Sequence, residues 1–217
     1  VQRQIPLTGL SQSVLFSGGK DNVSMESELR KEMLSADEVY WLVSFVKFEG
    51  IRLFESAFRE MEIMNVPVKI ICTVYMGATD PKAIQFLSQF KNIQIKISYN
   101  TQQERLHAKS YIFKRKSDFN TAYIGSSNLS RSALTNGLEW NVKISSQEVP
   151  HIITKCLETF ETYWNDKEFS TFNIEQDWDK LTNAIHRIKH PVRDTDQFFV
   201  DINPFSYQQE ILEKIAY

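Results

Sequence analysis

The feature that most constrains this chain is the regular exchange of apolar strands and helical stripes between residues 24 and 98. "SMESELRKEMLSA" carries Met25, Leu29 and Met33 at i, i+4 and i+8, one face of a helix. "VYWLVSFV" (39–46) is a continuous run of β-branched and aromatic residues, which predicts a strand buried on both faces. "IRLFESAFREMEIM" returns to helical spacing through Ile51, Phe54, Phe58 and Met61, and "VKIICTVY" (68–75) is a second buried strand. Asp80-Pro81 opens a further helix, aspartate as cap and proline in the first turn, through Ala83, Leu87 and Phe90. "IQIKIS" (93–98) alternates strictly, as a third strand does. Strand, helix, strand, helix, strand with short connections is the signature of a parallel sheet covered by helices. Ligands of such sheets gather at the carboxyl ends of the strands. Those ends read Ser44-Phe45, Thr73-Val74-Tyr75 and Ser98, and their small hydroxyls suit a polar pocket.

The rest of the chain supplies further strands at 107–114, 120–125 and 139–145. After Pro150 it turns helical in "HIITKCLETFETYWND" and "IEQDWDKLTNAIHRIKH". A looser segment, "PVRDTDQFFVDINPF", leads to "SYQQEILEKIAY". The 217 residues suffice for one large domain or a domain with a helical appendage. With 42% hydrophobic and 24% charged residues the composition is that of a globular protein, and no run is apolar enough for a membrane span. "VQRQIPLTGLSQSV" lacks a signal-peptide layout, and Cys72 and Cys156 lie far apart, so a reducing, cytoplasmic setting is expected. The initial valine suggests an excerpt of a longer protein. A net charge of −2 announces no nucleic acid but leaves room for a local basic groove.

The chemistry concentrates in "RLHAKSYIFKRKSDFNTAYIGSSNLSRSALTNGLEWN" (105–141). On a strand His107 and Lys109 share a face, roughly 6.5–7 Å apart along the backbone. A phosphate fits that gap: an imidazole can attack phosphorus while an ammonium neutralises the non-bridging oxygens. "GSSN" (125–128) ends a strand in a turn offering backbone N–H groups, the Ser126 hydroxyl and the Asn128 amide. Glu139 is a carboxylate that could fix the imidazole's tautomer. Trp140, next to it, is expected to pack behind the site, and Trp41, Trp164 and Trp178 to pack in the core or between helices. "HRIKH" (186–190) reads as a cationic helix end rather than a metal pair.

The run His107-Ala108-Lys109, Gly125-Ser126-Ser127-Asn128 and Glu139 resembles the H-x-K-x(4)-D-x(6)-G-S-x-N signature of the phospholipase D superfamily. "GSSNLSRSAL…GLEWN" is similar to the version in phospholipase-D-like nuclease domains attached to restriction-type helicases. The resemblance covers roughly residues 10–165 and implies an α-β-α sandwich with a mixed, largely parallel sheet, plus a C-terminal helical segment. It implies His107 as nucleophile through a phosphohistidine, Lys109 and Asn128 on the phosphate oxygens, Ser126 assisting, and Glu139 orienting the imidazole. Gly125, Ser127, Arg131, Ser44 and Thr73 are the expected substrate-binding positions. One position departs from the signature: Lys114 stands where aspartate is expected, while Asp118 lies seven before Gly125, in a hairpin that reads as a turn.

The chemistry needs a second histidine to protonate the leaving oxygen. His151, His186 and His190 lack the lysine and the G-S-x-N turn, so a homodimer with a composite site is expected, with no metal and no cofactor. "KRKSDFN" and Arg131 suit a polyanion, which points to DNA as substrate. "NPFSYQQEILEKI" (203–215) resembles the entry to a superfamily 2 helicase core, although the chain holds no phosphate-binding loop of its own. The expected organisation is a catalytic domain over 1–165, a helical extension over 166–190, and a linker with a first helix over 191–217 leading toward a helicase module. The alternatives are a lipid or other phosphodiesterase of the same chemistry, and a non-catalytic DNA-binding or dimerisation module.

Overall fold

The computed structural model describes residues 5–17, 23–100 and 106–190. The expected linker and helicase-entry helix over 191–217, and most of "SGGKDN" (17–22), lie outside the described residues. Eight strands form a single sheet: β1 (Val14–Phe16), β2 (Glu38–Leu42), β3 (Val68–Thr73), β4 (Ile93–Ser98), β5 (Ser110–Lys114), β6 (Thr121–Gly125), β7 (Asn141–Ser145) and β8 (Phe169–Thr171). Their spatial order is β1-β7-β6-β5-β2-β3-β4-β8. The helices are α1 (Met25–Ser35), α2 (Phe48–Ile51), α3 (Glu55–Ile63), α4 (Pro81–Leu87), α5 (Arg131–Thr135), α6 (Pro150–Asn165) and α7 (Ile174–Lys189).

The sheet is mixed, but its parallel part is narrower than expected. Only β2–β3 and β3–β4 pair in parallel; every other join is antiparallel. The reason is connection length. Helices α3 and α4 carry the chain back across the sheet between β2, β3 and β4, whereas β5 and β6 are joined by a short hairpin that can only pair antiparallel.

Alternation within the strands sorts the core into two layers. Val39, Trp41, Ile70, Cys72, Tyr111, Phe113 and Tyr123 face α1, α3, α4, α5 and α7. Tyr40, Leu42, Ile71, Ile112, Ala122 and Ile144 face α6 through Ile153 and Phe160. The helical stripes Met25–Leu29–Met33 and Ile51–Phe54–Phe58–Met61 are all buried, as their spacing requires. The second stripe does not form one helix: it tightens to a 3-10 turn over Arg52–Phe54. There the Arg30 guanidinium donates to the Leu53 carbonyl.

Residues 169–189 pack onto the same sheet and core. β8 adds to the edge at β4, and α7 buries Leu181 and Ile185 in the larger core layer. β1, β8 and α5 carry too few residues for a periodic signal to mark them.

Candidate active site

β5 begins three residues later than the apolar run suggested. Its partner β2 ends at Leu42, opposite Ser110, so nothing on that side pairs with residues 107–109. Lys109 keeps one link to the sheet, its carbonyl accepting from Gly125 N at 3.2 Å. Strand alternation therefore does not set His107, yet the two side chains still meet. Lys109 Nζ donates to the His107 carbonyl at 2.7 Å and lies 3.0 and 3.1 Å from the two ring nitrogens. His107 is exposed, whereas Lys109 is only 6% exposed. Burial pulls the Lys109 pKa below its ordinary value, and the negative charge of Glu139 partly opposes that shift.

The turn after β6 is built by close approach. A Cβ on Gly125 would sit 2.1 Å from the Trp140 carbonyl, so only glycine lets β6 and β7 converge there. Ser126 N donates to that same carbonyl at 3.0 Å, and the Ser126 hydroxyl donates to the Glu139 carboxylate. Glu139 thus reaches Ser126 directly and Lys109 through its field; it forms no hydrogen bond to His107 in this structure. Ser127 is fully buried: its N–H donates to Asn141 Oδ1, its hydroxyl accepts from Asn141 Nδ2 at 2.8 Å, and its carbonyl accepts from the Tyr111 hydroxyl at 2.8 Å. Arg131 is exposed at the first position of α5.

Asn128 is held from the opposite side. Its Oδ1 accepts from Ser44 N at 3.1 Å and Phe45 N at 3.2 Å, which turns the amide Nδ2 away from the β2–α2 loop. The Thr73 hydroxyl donates to the Ser44 carbonyl at 3.0 Å and accepts from Tyr75 N at 3.0 Å. Leu129 is bridged to the same loop through Val46 and Lys47, and a Cβ on Gly50 would lie 2.5 Å from the Leu129 carbonyl. The hydroxyl expected at the end of β3 as a substrate contact is therefore consumed in fixing the Asn128 turn.

Two expectations are corrected here. "KRKSDFN" was expected to put positive charge beside the motif, but it lies at the far end of β5 from Lys109, about 17 Å away by strand rise. Lys114 pairs with Glu38 at 2.9 Å, and Arg115 is buried against Glu32. Asp118 sits in the hairpin with φ +60°, its carbonyl accepting from Ser146 and Gln147, so it is a turn residue remote from the site. Trp140 was expected to pack behind the site but is 66% exposed, on the sheet face that α6 leaves uncovered at this edge. Tyr111, Asn141 and Gly50 escaped the sequence reading as parts of the site. Tyr111 lies two residues from Lys109, the spacing of residues that share a strand face, which was the available signal; Asn141 and Gly50 act through long-range contacts that no local pattern encodes.

Among the described residues no group of three or more His, Cys, Asp or Glu side chains could share a metal ion, and no helix is long and apolar enough to cross a membrane.

A family model described as "Cardiolipin synthase, PLD-like domain" matches residues 29–164, which hold the fold's core and every site element above. The chain belongs to the phospholipase-D-like family. The fold is similar to that of several solved structures. NucT from Helicobacter pylori superimposes with a TM-score of 0.58 at 19% identity, over 74% of this chain and 99% of that one. Nuc from Salmonella typhimurium, titled a phospholipase D family member, gives 0.53 at 20% identity over 75% and 99%. The phosphatidylserine synthase of Haemophilus influenzae Rd KW20 gives 0.53 at 11% identity over 82% and 45%. No curated protein sequence matches the chain.

Proposed function

We propose that this phospholipase-D-like chain is a metal-independent phosphodiesterase that cuts DNA as an endonuclease domain, through a phosphohistidine intermediate. The observation that carries this reading is Lys109. It is a buried ammonium held against the ring and carbonyl of an exposed histidine, with no carboxylate bonded to it among the described residues. A phosphodiester bound beside it supplies the missing counter-charge. In the first step a His107 ring nitrogen attacks phosphorus. A P–N bond forms, the P–O bond to the leaving oxygen breaks, and a second imidazole gives that oxygen its proton. The second imidazole then takes a proton from water, whose oxygen attacks phosphorus and breaks the P–N bond, restoring His107.

Lys109 and the Asn128 amide hold the non-bridging oxygens, the Ser126 hydroxyl assists, and Glu139 balances the imidazolium. Gly125 and Ser127 contribute by shaping the turn, since their N–H groups are spent on the Lys109 carbonyl and Asn141 Oδ1. Arg131 meets a neighbouring phosphate. Ser44 and Thr73 contribute by fixing Asn128, since the Ser44 N–H and the Thr73 hydroxyl are spent on that framework.

The second imidazole is His107 of another copy, in a two-fold dimer. Leu138 (87% exposed), Trp140, Leu15 and Val142 support such a contact, because they leave a bare apolar patch beside the site. The tail at 203–215 supports a helicase module that feeds DNA to the domain, in the setting of defence against foreign DNA. A second reading, a lipid phosphodiesterase, is favoured by the description of the matching family model. The deciding experiment measures cleavage of single- and double-stranded DNA in EDTA by wild type and His107→Ala. Wild type that leaves both DNAs intact while dimeric sinks the nuclease reading, and a monomer at micromolar concentration sinks the shared site. Turnover of phosphatidyl substrates in vesicles without DNA cleavage selects the lipid reading.

A further inference from the structure

Two clefts open on either side of the His107–Ala108 backbone, and they differ in chemistry. One, of about 300 Å³, is lined by Tyr163, Asp166, Glu168 and Phe169. The other, also about 300 Å³, runs between β5, β6 and α6, walled by Leu42, Ile112, Ile124, Ile152 and Phe160. Lys109, His107 and Cys156 line this second groove. Ser110 lines it too, and the Ser110 hydroxyl is buried without a hydrogen-bond partner among the described residues. A buried hydroxyl left unpaired in a native fold calls for a ligand or a water.

We propose that this groove receives one nucleobase of the nucleotide flanking the scissile phosphate, with the Ser110 hydroxyl bonding the base edge. The proposal rests on the nuclease reading of the His107 site. Its first support is continuity: a group entering at His107 and Lys109 is one attached to the phosphate held there. Charge is the second, because Asp166 and Glu168 repel a polyanion from the other cleft and leave the apolar groove as the open path. The third is shape and polarity. A groove of this size, walled mainly by apolar side chains and carrying the polar groups of Ser110, Thr159 and Lys155, suits a flat heterocycle with hydrogen-bonding edges. It is too small for the paired acyl chains of a phospholipid, which would leave Ser110 unsatisfied as well. A base enters such a groove only when it is out of the stack, so single-stranded DNA is the preferred substrate.

The test substitutes the half-exposed Ile152 on α6, by Ile152→Trp, to fill the groove. Wild type and variant are compared on oligothymidylate and on methyl p-nitrophenyl phosphate, a diester with no base. The ratio of kcat/KM for oligothymidylate over that for the simple diester is expected to fall about tenfold or more. An unchanged ratio overturns the subsite. Cys156 gives a second measurement, since Cys72 is fully buried. Oligothymidylate bound to His107→Ala protein is expected to slow labelling of Cys156 by a small maleimide. Binding without protection overturns the subsite whatever the catalytic result. Wild type that hydrolyses neither diester sinks the nuclease reading, and the thiol measurement then judges the groove alone. Protection by phosphatidylglycerol vesicles and not by oligothymidylate assigns the groove to lipid and overturns the proposal.

Discussion

Lys109 and Lys143 are both buried lysines on the antiparallel half of the sheet, and their surroundings could hardly differ more. Lys143 is fully buried beneath α1, 3.2 Å from Glu32 Oε1, and also donates to Thr8 and the Gly9 carbonyl. Glu32 in turn accepts from Arg115, Thr121 and Tyr123, so two cations and a carboxylate close on each other with hydroxyls filling the gaps. Burial pulls the pKa of both lysines down, but Lys143 is offset by its direct bond to Glu32 and the field of Glu28. Lys109, just before β5, has a histidine ring and carbonyl for company and only the field of Glu139. A buried charge that is fully paired holds a fold in register, whereas one left under-compensated is poised for an anionic ligand. The same sheet carries a closed ionic joint at one end and an open anion site at the other.

The largest effect that would sharpen this contrast is His107→Ala, expected to lower DNA cleavage in EDTA by about a thousandfold or more while the unfolding midpoint holds. At the closed joint, Glu32→Ala strands Arg115 and Lys143 in the core. It is expected to cost about 3–5 kcal/mol in urea unfolding, with little meaning for the site chemistry beyond lost fold. Lys109→Met separates the two roles within one residue. Cleavage is expected to fall about 10²–10³-fold, yet the protein should become more stable at neutral pH. The sign follows from the direction of the shift. The folded pKa lies below the ordinary 10.5, so the folded state carries a charging penalty below that depressed value and loses it as pH rises toward 10.5. The stability gained by Lys109→Met therefore shrinks over the same window, and a loss of stability at pH 7 would break the comparison. The smallest effect is Asp118→Gly, at the hairpin remote from both charges. Stability is expected to change by less than about 1 kcal/mol and cleavage not at all, which would separate this residue from the aspartate of the family signature.

Much of the fold was legible because burial writes itself into spacing. Met25, Leu29 and Met33, or Trp41 between Tyr40 and Leu42, could only be placed one way once they were helical or extended. The ends of elements were less legible. β5 starts at Ser110 because β2 stops at Leu42, and nothing within residues 107–109 announces that. The hairpin "KRKSDFN" misled for a related reason. Its charges were visible in the sequence, but their distance from His107 and the burial of Arg115 against α1 depend on strands far away in the chain.

The sequence alone determined the strand-helix order between residues 24 and 98 and placed the His-Lys and Gly-Ser-Ser-Asn motifs, since apolar periodicity and motif spacing are local properties. Only the tertiary structure decided which buried lysine is neutralised, that Thr73 serves Asn128, that Trp140 stands in solvent, and that an apolar groove opens beside His107. Each of these is set by neighbours from distant parts of the chain, and electrostatic and packing energies depend on those neighbours in space.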